Sequence, residues 1–322
     1  MIPEKKLKEQ LKYTLNKTDF SIGKKYEGKV RDNYSFDGKR LIITTDRISA
    51  FDRVLCTLPF KGQVLNQTAA FWFEKTKHIV KNHVIGVPDP NVLVAKECEL
   101  IPVEMVVRGY ITGVTTTSAW YNYERGIRNF CGNILPEGMR KDEKFKKPII
   151  TPSTKAEKGL HDESVSGDEI IKRGLVDKNI YRKMEKAALE LFDFGTKLVA
   201  KNNLILVDTK YEFGLDKNKN LMLIDEMHTP DSSRFWIKDT YEKNFAKGEE
   251  PDKLDKEYVR QFLAKQGFVG DGKIPPIPDD IKVEAARRYI KAYEMITGKD
   301  FKAEVGDVKG RIKDNLKKMD LL

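Results

Sequence analysis

The sequence predicts an α+β protein, and three observations carry that expectation. The first third is dense in period-two apolar alternation, the mark of strands, whereas later segments mix helical spacing with long polar loops. Strands and helices do not alternate regularly, as they would in a doubly wound sheet. Neither GxxxxGK[ST] nor GxGxxG occurs, so the two commonest phosphate-binding loops of parallel sheets are missing.

The elements follow in chain order. A lysine-rich helix is expected from Pro3 to Leu15. Between Tyr26 and Asp52, Gly28, the Asp37-Gly38 turn and alternating apolar residues predict a hairpin. A helix over Val64 to Lys77 precedes strands at Val84 to Val87, Asn91 to Ala95 and Val103 to Val107. Past Gly109 the pattern turns to helices and polar loops, which sets a domain boundary near Arg108, giving 1–108 and 109–322. Val165 to Asn202 has helical spacing with an N-cap cluster at Ser166, Gly167 and Asp168. Two strands joined by "DKNK" (Asp216 to Lys219) come next. Finally, Asp279 or Asp280 is expected to cap an amphipathic helix reaching Ile296 and stopped by Gly298, part of a closing helical layer.

Composition narrows the function. The chain has 322 residues, 40% hydrophobic and 34% charged, enough for two ordinary domains or one large one. No apolar run is long enough to cross a bilayer and Met1 is not followed by a signal-peptide core, so the expected address is cytoplasmic, with no membrane partner. The net charge of +10 favours an anionic partner, either nucleic acid or a phosphorylated metabolite. Its lysines and arginines are interleaved with acids, as in "RKDEKFKK" (Arg140 to Lys147), and no RNA-recognition, zinc-finger or basic-zipper signature accompanies them, so no nucleic acid is expected. Cys56, Cys98 and Cys131 lack metal-ligand or disulfide spacing. His161 and His228 read as hydrogen-bonding neighbours rather than ligands.

The chemistry concentrates in "LVDTKYEFGLDKNKNLMLIDEMHTPDSSRFW" (Leu206 to Trp236). Period two places Asp208, Lys210 and Glu212 on one strand face. If Leu215 pairs with Asn220, Asp225 comes opposite Lys210; a slip by one residue brings Glu226 there instead. Carboxylates gathered around one lysine in a dry site call for a compensating cation, and Mg²⁺ prefers such hard oxygens. A cross-strand ion ladder on a wet face is the bland alternative. "TPDSSRFW" (Thr229 to Trp236) adds hydroxyls and Arg234, able to grip a phosphate, or else a helix start capped by Asp231. "EGKVRD" (Glu27 to Asp32) offers Gly28 for close backbone approach to a polyphosphate, with Lys29 and Arg31 on one face. "ITPSTKAEKGLHDE" (Ile150 to Glu163) suits a substrate loop or a connector.

Six segments in order, "GKVRDNY", "TTDRISAFD", "IPVEMVVRGYITG", "TPSTKAEKGLHDE", "LVDTKYEFG" and "LIDEMHTPDSSRFW", resemble the SAICAR synthetase family of purine biosynthesis over more than two hundred residues. The resemblance implies a two-lobed fold laid out like a protein kinase, with a β-rich nucleotide-binding N-terminal lobe and a larger substrate lobe. It implies ATP-driven, Mg²⁺-dependent condensation of carboxyaminoimidazole ribotide (CAIR) with L-aspartate, giving SAICAR, ADP and phosphate through an acyl phosphate.

The resemblance also implies roles, residue by residue. Gly28, Lys29, Val30 and Arg31 would cover the ATP phosphates, and the stretch from Leu100 to Glu104 would face adenine. Glu212 and Asp225 match the magnesium carboxylates and Lys210 the active-site lysine, with Asp208 orienting it or accepting a proton. Arg108, Ser118 and Arg234 would hold the ribotide phosphate. The family commonly reads Gly-Ser where this chain has "GVTTTSAW" (Gly113 to Trp120), so one of Thr115 to Thr117 is an alternative to Ser118. Arg47, Ser49, Ser153 and Lys155 are the candidates for aspartate. A monomer or small homo-oligomer is expected. A small-molecule kinase is the rival enzyme reading, but "HRDxxxxN" is absent.

Overall fold

The computed structural model describes residues 2–51, 53–155, 163–254, 257–268 and 270–322. The chain opens on α1 (Glu4–Gln10), continued by a 3₁₀ turn over Leu11–Tyr13, so the expected first helix loosens before Leu15. Strands β1 (Lys24–Glu27), β2 (Arg31–Phe36) and β3 (Lys39–Thr44) form a meander rather than one hairpin; Asp37 and Gly38 turn its second corner with both φ positive. A ribbon of β4 (Arg47–Ala50) and β5 (Arg53–Thr57) leads into α2 (Lys61–Thr76). Then β6 (Val84–Asp89) and β7 (Val92–Lys96) complete an antiparallel sheet of order β1-β2-β3-β7-β6.

The chain crosses to a second sheet with β8 (Glu99–Tyr110). A satellite of α3 (Ala119–Tyr123), β9 (Asn129–Phe130) and β10 (Asn133–Ile134) precedes β11 (Lys144–Ile150) and β12 (Ser153–Thr154), both paired with β8. The helix expected across Val165 to Asn202 is two. Ser166 Oγ accepts the Glu169 N–H to cap α4 (Gly167–Lys172), Gly174 breaks the run at φ 70°, and Asp177 caps α5 (Lys178–Val199). Then come β13 (Leu204–Leu215), β14 (Leu221–Ile224) and β15 (Ser233–Ile237); β13 is the hub, paired with β8, β14 and β15.

Helices α6 (Lys238–Lys247), α7 (Glu257–Lys265), α8 (Asp279–Thr297) and α9 (Val308–Lys317) finish the chain. Asp279 and Asp280 lie in the first turn of α8 instead of capping it, and Gly298 ends it with φ 67°. α8 packs on α1 and α2, while α9 shares a core with β2, β3 and β7. The end of the chain thus returns to the N-terminal half, which no reading in chain order anticipates. Arg108 likewise lies within a strand of the second sheet, and the crossing between sheets falls at 97–98. Among the described residues, no helix is long and apolar enough to span a membrane.

α5 stiffens the second sheet. Tyr181, Met184, Ala188, Leu191, Phe192 and Val199 recur at helical spacing and are buried against β8 and β13, each large side chain contributing about 1.5–3 kcal/mol. The helix also runs over His228, an approach open only to glycine at 195, because a Cβ there would lie 2.3 Å from His228 Cε1. His228 shares a 2.5 Å hydrogen bond with Tyr211 Oη and packs edge-on against Trp72, as a neutral buried imidazole.

Burial pushes the pKa of both His228 and His83 down to about 3. In the unfolded chain each titrates near 6.5, so between these values the unfolded state binds more protons and stability falls as pH falls. Each imidazole contributes a slope of about 1.4 kcal/mol per pH unit across that window. Urea unfolding at several pH values checks it: His83→Gln lowers the slope between pH 6.5 and 4 by about that amount, and an unchanged slope would show that His83 titrates normally when folded.

Candidate active site

Because side chains alternate along a strand, Asp208, Lys210 and Glu212 project from one face of β13 over a length of about 13 Å. The flanking strands set what each one meets. Asp208 is in register with Arg108 on β8 and with Arg234 on β15, forming one row across three strands. Its Oδ2 accepts a hydrogen bond from Arg234 Nη1 and lies 3.8 Å from Arg108 Nη1. Two steps beyond Lys210, Glu212 is in register with Glu104. Lys210, opposite Val106, reaches both acids, with Nζ 2.7 Å from Glu104 Oε1 and 3.2 Å from Glu212 Oε1. From the end of β12, Lys155 Nζ meets the other oxygen of Glu212 at 2.5 Å.

The β13–β14 register is the second of the two considered, slipped by one residue. Leu215 pairs with Leu221 rather than Asn220, because Asp216 accepts the N–H groups of Asn218 and Asn220 and binds Asn220 into the turn. The ladder stops at Ile224, and Asp225 swings toward the charged row through a left-handed φ of 63°. Asp225 therefore joins Lys210 by a kink and not by cross-strand pairing.

These groups do not form a wet ion ladder. The side chains of Asp208 and Glu212 are 8% exposed and Glu104 11%, against 35% for Lys210. Burial pushes Glu104 up, with Lys210 opposing it. Burial would raise Glu212 too, but the charges of Lys210 and Lys155 bring it down to about 2. The Lys210 ammonium is disfavoured by burial, yet Glu212, Glu104 and Asp225 more than offset this and hold it firmly protonated. Burial, with Glu212 and Glu226 nearby, lifts Asp225 to about 6 although Arg31 pulls the other way.

The far end of the row is cationic. Arg108 is buried, with Nε donating to Thr151 Oγ1 at 2.7 Å and Nη2 to the Thr117 carbonyl at 2.9 Å. Gly113, at φ 92°, lets Ser118 and Arg234 crowd the backbone: a Cβ there would lie 2.4 Å from Ser118 Oγ and 3.3 Å from Arg234 Nη2. Ser118 is buried and bonded to Thr115, whereas Thr115 and Thr116 are exposed. Of the hydroxyls considered for this corner, Ser118 is the one packed against Gly113 together with Arg234.

A carboxylate–lysine group thus abuts a two-arginine corner on one face of β13, and comparison with known proteins gives the family in which this arrangement sits. The family description "SAICAR synthetase" matches residues 24–276. The chain belongs to the SAICAR synthetase family. It is 46% identical over 309 residues to the phosphoribosylaminoimidazole-succinocarboxamide synthase of Legionella pneumophila strain Paris, covering 95% of this chain and 98% of that protein. To the Bacteroides thetaiotaomicron enzyme of the same name it is 49% identical over 310 residues, 94% of this chain and 97% of that protein. Among solved structures, a SAICAR synthase from Saccharomyces cerevisiae complexed with SAICAR superposes with a TM-score of 0.79 at 32% identity, covering 90% of this chain and all of that one. A type-2 SAICAR synthetase in complex with ADP gives 0.65 at 26% identity, covering 87% of this chain and all of that one. The α+β fold class is that of these relatives.

In this SAICAR synthetase the first sheet closes the site. The Gly28–Val30 turn is bolted down: Thr45 donates to the Val30 carbonyl through N–H and Oγ1, and Arg47 donates to the carbonyls of Gly28 and Lys29. Arg47 also donates to Asn16 and Asp32 and is buried. Its Nε and Nη2 hold the loop and its Nη1 the Asn16 carbonyl, so the guanidinium expected to meet aspartate is here engaged within the protein. Ser49 lies on the β4–β5 ribbon opposite Val54, and no described contact joins it to the charged row. Ser153, by contrast, sits opposite Glu104 across β12 and β8. Lys29 is exposed, and Leu100 is exposed on β8 opposite Gly214. His161 lies outside the described residues.

Two acids named from the sequence take partners that it did not reveal. Glu226 is buried and pairs with Arg31 Nη2 at 2.7 Å. Asp231, read as a helix cap, accepts hydrogen bonds from Lys61 Nζ at 2.7 Å and Tyr289 Oη at 2.6 Å, tying the loop before Arg234 to α2 and α8. Nothing around "FKGQV" marks Lys61 as a buried ammonium; only the adjacent acidic residues in "LIDEMHTPD" signalled further charge there. For a divalent ion the chemistry of the donors fits. Among the described residues no three His, Cys, Asp or Glu side chains cluster as a ready cage, but Mg²⁺ bound with a nucleotide needs only one or two carboxylates, which Glu212 and Asp225 would supply.

Proposed function

We propose that this chain condenses CAIR with L-aspartate to give SAICAR, with ATP converted to ADP and phosphate. The observation that carries the reading is the single face of β13, where a phosphate corner (Arg108, Asp208, Arg234) stands two residues from a carboxylate–lysine group. The solved relatives named for SAICAR and for ADP support it. A carboxylate is a poor electrophile. In the first step a CAIR carboxylate oxygen attacks the γ-phosphorus, the bond to the β-phosphate oxygen breaks, and ADP leaves. In the second, the aspartate amine attacks the acyl carbon, phosphate departs, and the nitrogen loses a proton.

Positioning and electrostatics dominate such transfers. Lys210, held protonated by its acidic neighbours, offsets charge on the moving phosphoryl group. Mg²⁺ held by Glu212 and Asp225 would supply further compensation. Gly28 to Arg31 lie over the nucleotide phosphates, with Leu100 to Glu104 beside the base. Arg108, Ser118 and Arg234 grip the ribotide phosphate. Asp208, bound to both guanidiniums, aligns the arginines rather than serving Lys210. Ser153 and Lys155 remain the side chains best sited for aspartate, Ser153 being opposite Glu104 and Lys155 being on Glu212.

An ADP-release assay with CAIR, in the presence and absence of aspartate, tests the reading. Sustained release that requires aspartate is expected; release unaffected by aspartate would point to a kinase, and none at all would refute the proposal. In Lys210→Ala, kcat should drop by about 100-fold or more with circular dichroism unchanged, and near-normal SAICAR formation would remove Lys210 from catalysis. Arg234→Ala should raise the KM for CAIR by about tenfold or more while the KM for ATP moves little; equal effects on both would contradict a ribotide-phosphate role.

A further inference from the structure

Arg31 begins β2 on the first sheet, yet its guanidinium belongs to the second. Nη1 lies 3.0 Å from Asp225 Oδ1 and Nη2 lies 2.7 Å from Glu226 Oε2, with the side chain only 12% exposed. The same carboxylate, Asp225, is wanted for metal. A guanidinium cannot shed its charge by losing a proton, so Asp225 Oδ1 is released, and the adjacent positive charge withdrawn, only if Arg31 moves.

We propose that Arg31 is an internal counter-cation that reserves Asp225 in the nucleotide-free enzyme, so that a divalent ion is accepted with nucleotide phosphates and refused alone. The inference rests on the magnesium-nucleotide reading of this site. Three features make the exchange feasible. First, the backbone before Arg31 is fixed by Thr45 and Arg47, so the motion is confined to a long side chain. Second, Glu226 Oε2 also accepts from Thr229 Oγ1 and is buried, which makes it a fixed pivot that retains Nη2 while Nη1 swings away. Third, Asp225 is the more exposed of the two acids, 28% against 7%, and is reachable from the cleft. A lone cation at Asp225 meets a nearby like charge and an occupied carboxylate. Nucleotide phosphates instead offer the freed Nη1 a competing anion while Nη2 stays on Glu226.

Mn²⁺ serves as the probe, with unbound ion counted by electron paramagnetic resonance. Wild-type protein should bind Mn²⁺ alone weakly and Mn²⁺ with ADP well. Arg31→Gln should bind Mn²⁺ alone about tenfold more tightly and Mn²⁺ with ADP about tenfold more weakly. Arg31→Lys keeps the charge but spans only one carboxylate at a time, so it decides the matter if the glutamine variant fails to fold. It should tighten Mn²⁺ alone by about threefold. Unchanged affinity for Mn²⁺ alone in folded variants, with wild type still binding Mn²⁺ with ADP, would overturn the role of Arg31 only. Failure of wild type to bind Mn²⁺ with ADP would overturn the nucleotide site itself, and this inference with it.

Discussion

The register of β13 between β8 and β15 is the constraint on which the site depends. It places Arg108, Asp208 and Arg234 in one row and Glu104 with Glu212 in the next but one. Side chains repeat every two residues, so a slip by one against either neighbour would turn an arginine to the opposite face and leave Asp208 buried without its partners. Apolar packing enforces the register from behind: Tyr211 and Phe213 on the other face are fully buried in the core that α5 lines. The spacing of the charged row is therefore a by-product of a core that tolerates only one alignment.

The first sheet and the terminal helices complete what the second sheet begins. Arg31 carries positive charge from β2 to the carboxylates that follow β14; Lys61 does the same for Asp231 from α2, and Tyr289 on α8 adds a neutral hydroxyl donor. Two glutamines fasten the segment that brings α9 back. Gln10 and Gln63 each donate to and accept from one backbone unit, at Gly306 and Glu304. The result is a cleft whose walls come from both ends of the chain, so that the geometry of the Asp225–Arg234 loop depends on residues far from it in sequence.

How much of this was legible in the sequence follows from the range of each interaction. The charged alternation of β13 is local, and it identified Asp208, Lys210 and Glu212 correctly as sharing one face. The order of the long motifs carried the family. What was not legible was non-local or depended on turn chemistry: Asp216 closing its loop over Asn220 set the β14 register, and Gly174 split one helical run into two. The three backbone carbonyls that Arg47 meets were likewise invisible, because an arginine in a polar motif reads the same whatever its partners. The return of α8 and α9 to the N-terminal half had no signal beyond their own amphipathic faces.

The burial of so many charges is itself an argument about function. Ion pairs removed from water gain little or lose stability relative to apolar residues of the same volume, so a buried row of Glu, Lys, Asp and Arg is poor scaffolding. Here the acids are not each matched to one cation: Glu212 has Lys210 and Lys155, Asp208 has two arginines, and Arg31 has two acids. Such shared partners leave the network able to exchange one member for an incoming charge without stranding the rest. Lys210 can turn toward a phosphoryl group while Lys155 still neutralises Glu212, and Arg234 can take a phosphate while Arg108 remains beside Asp208. That redundancy distinguishes a site organised to accept polyanions from a core that merely tolerates charge.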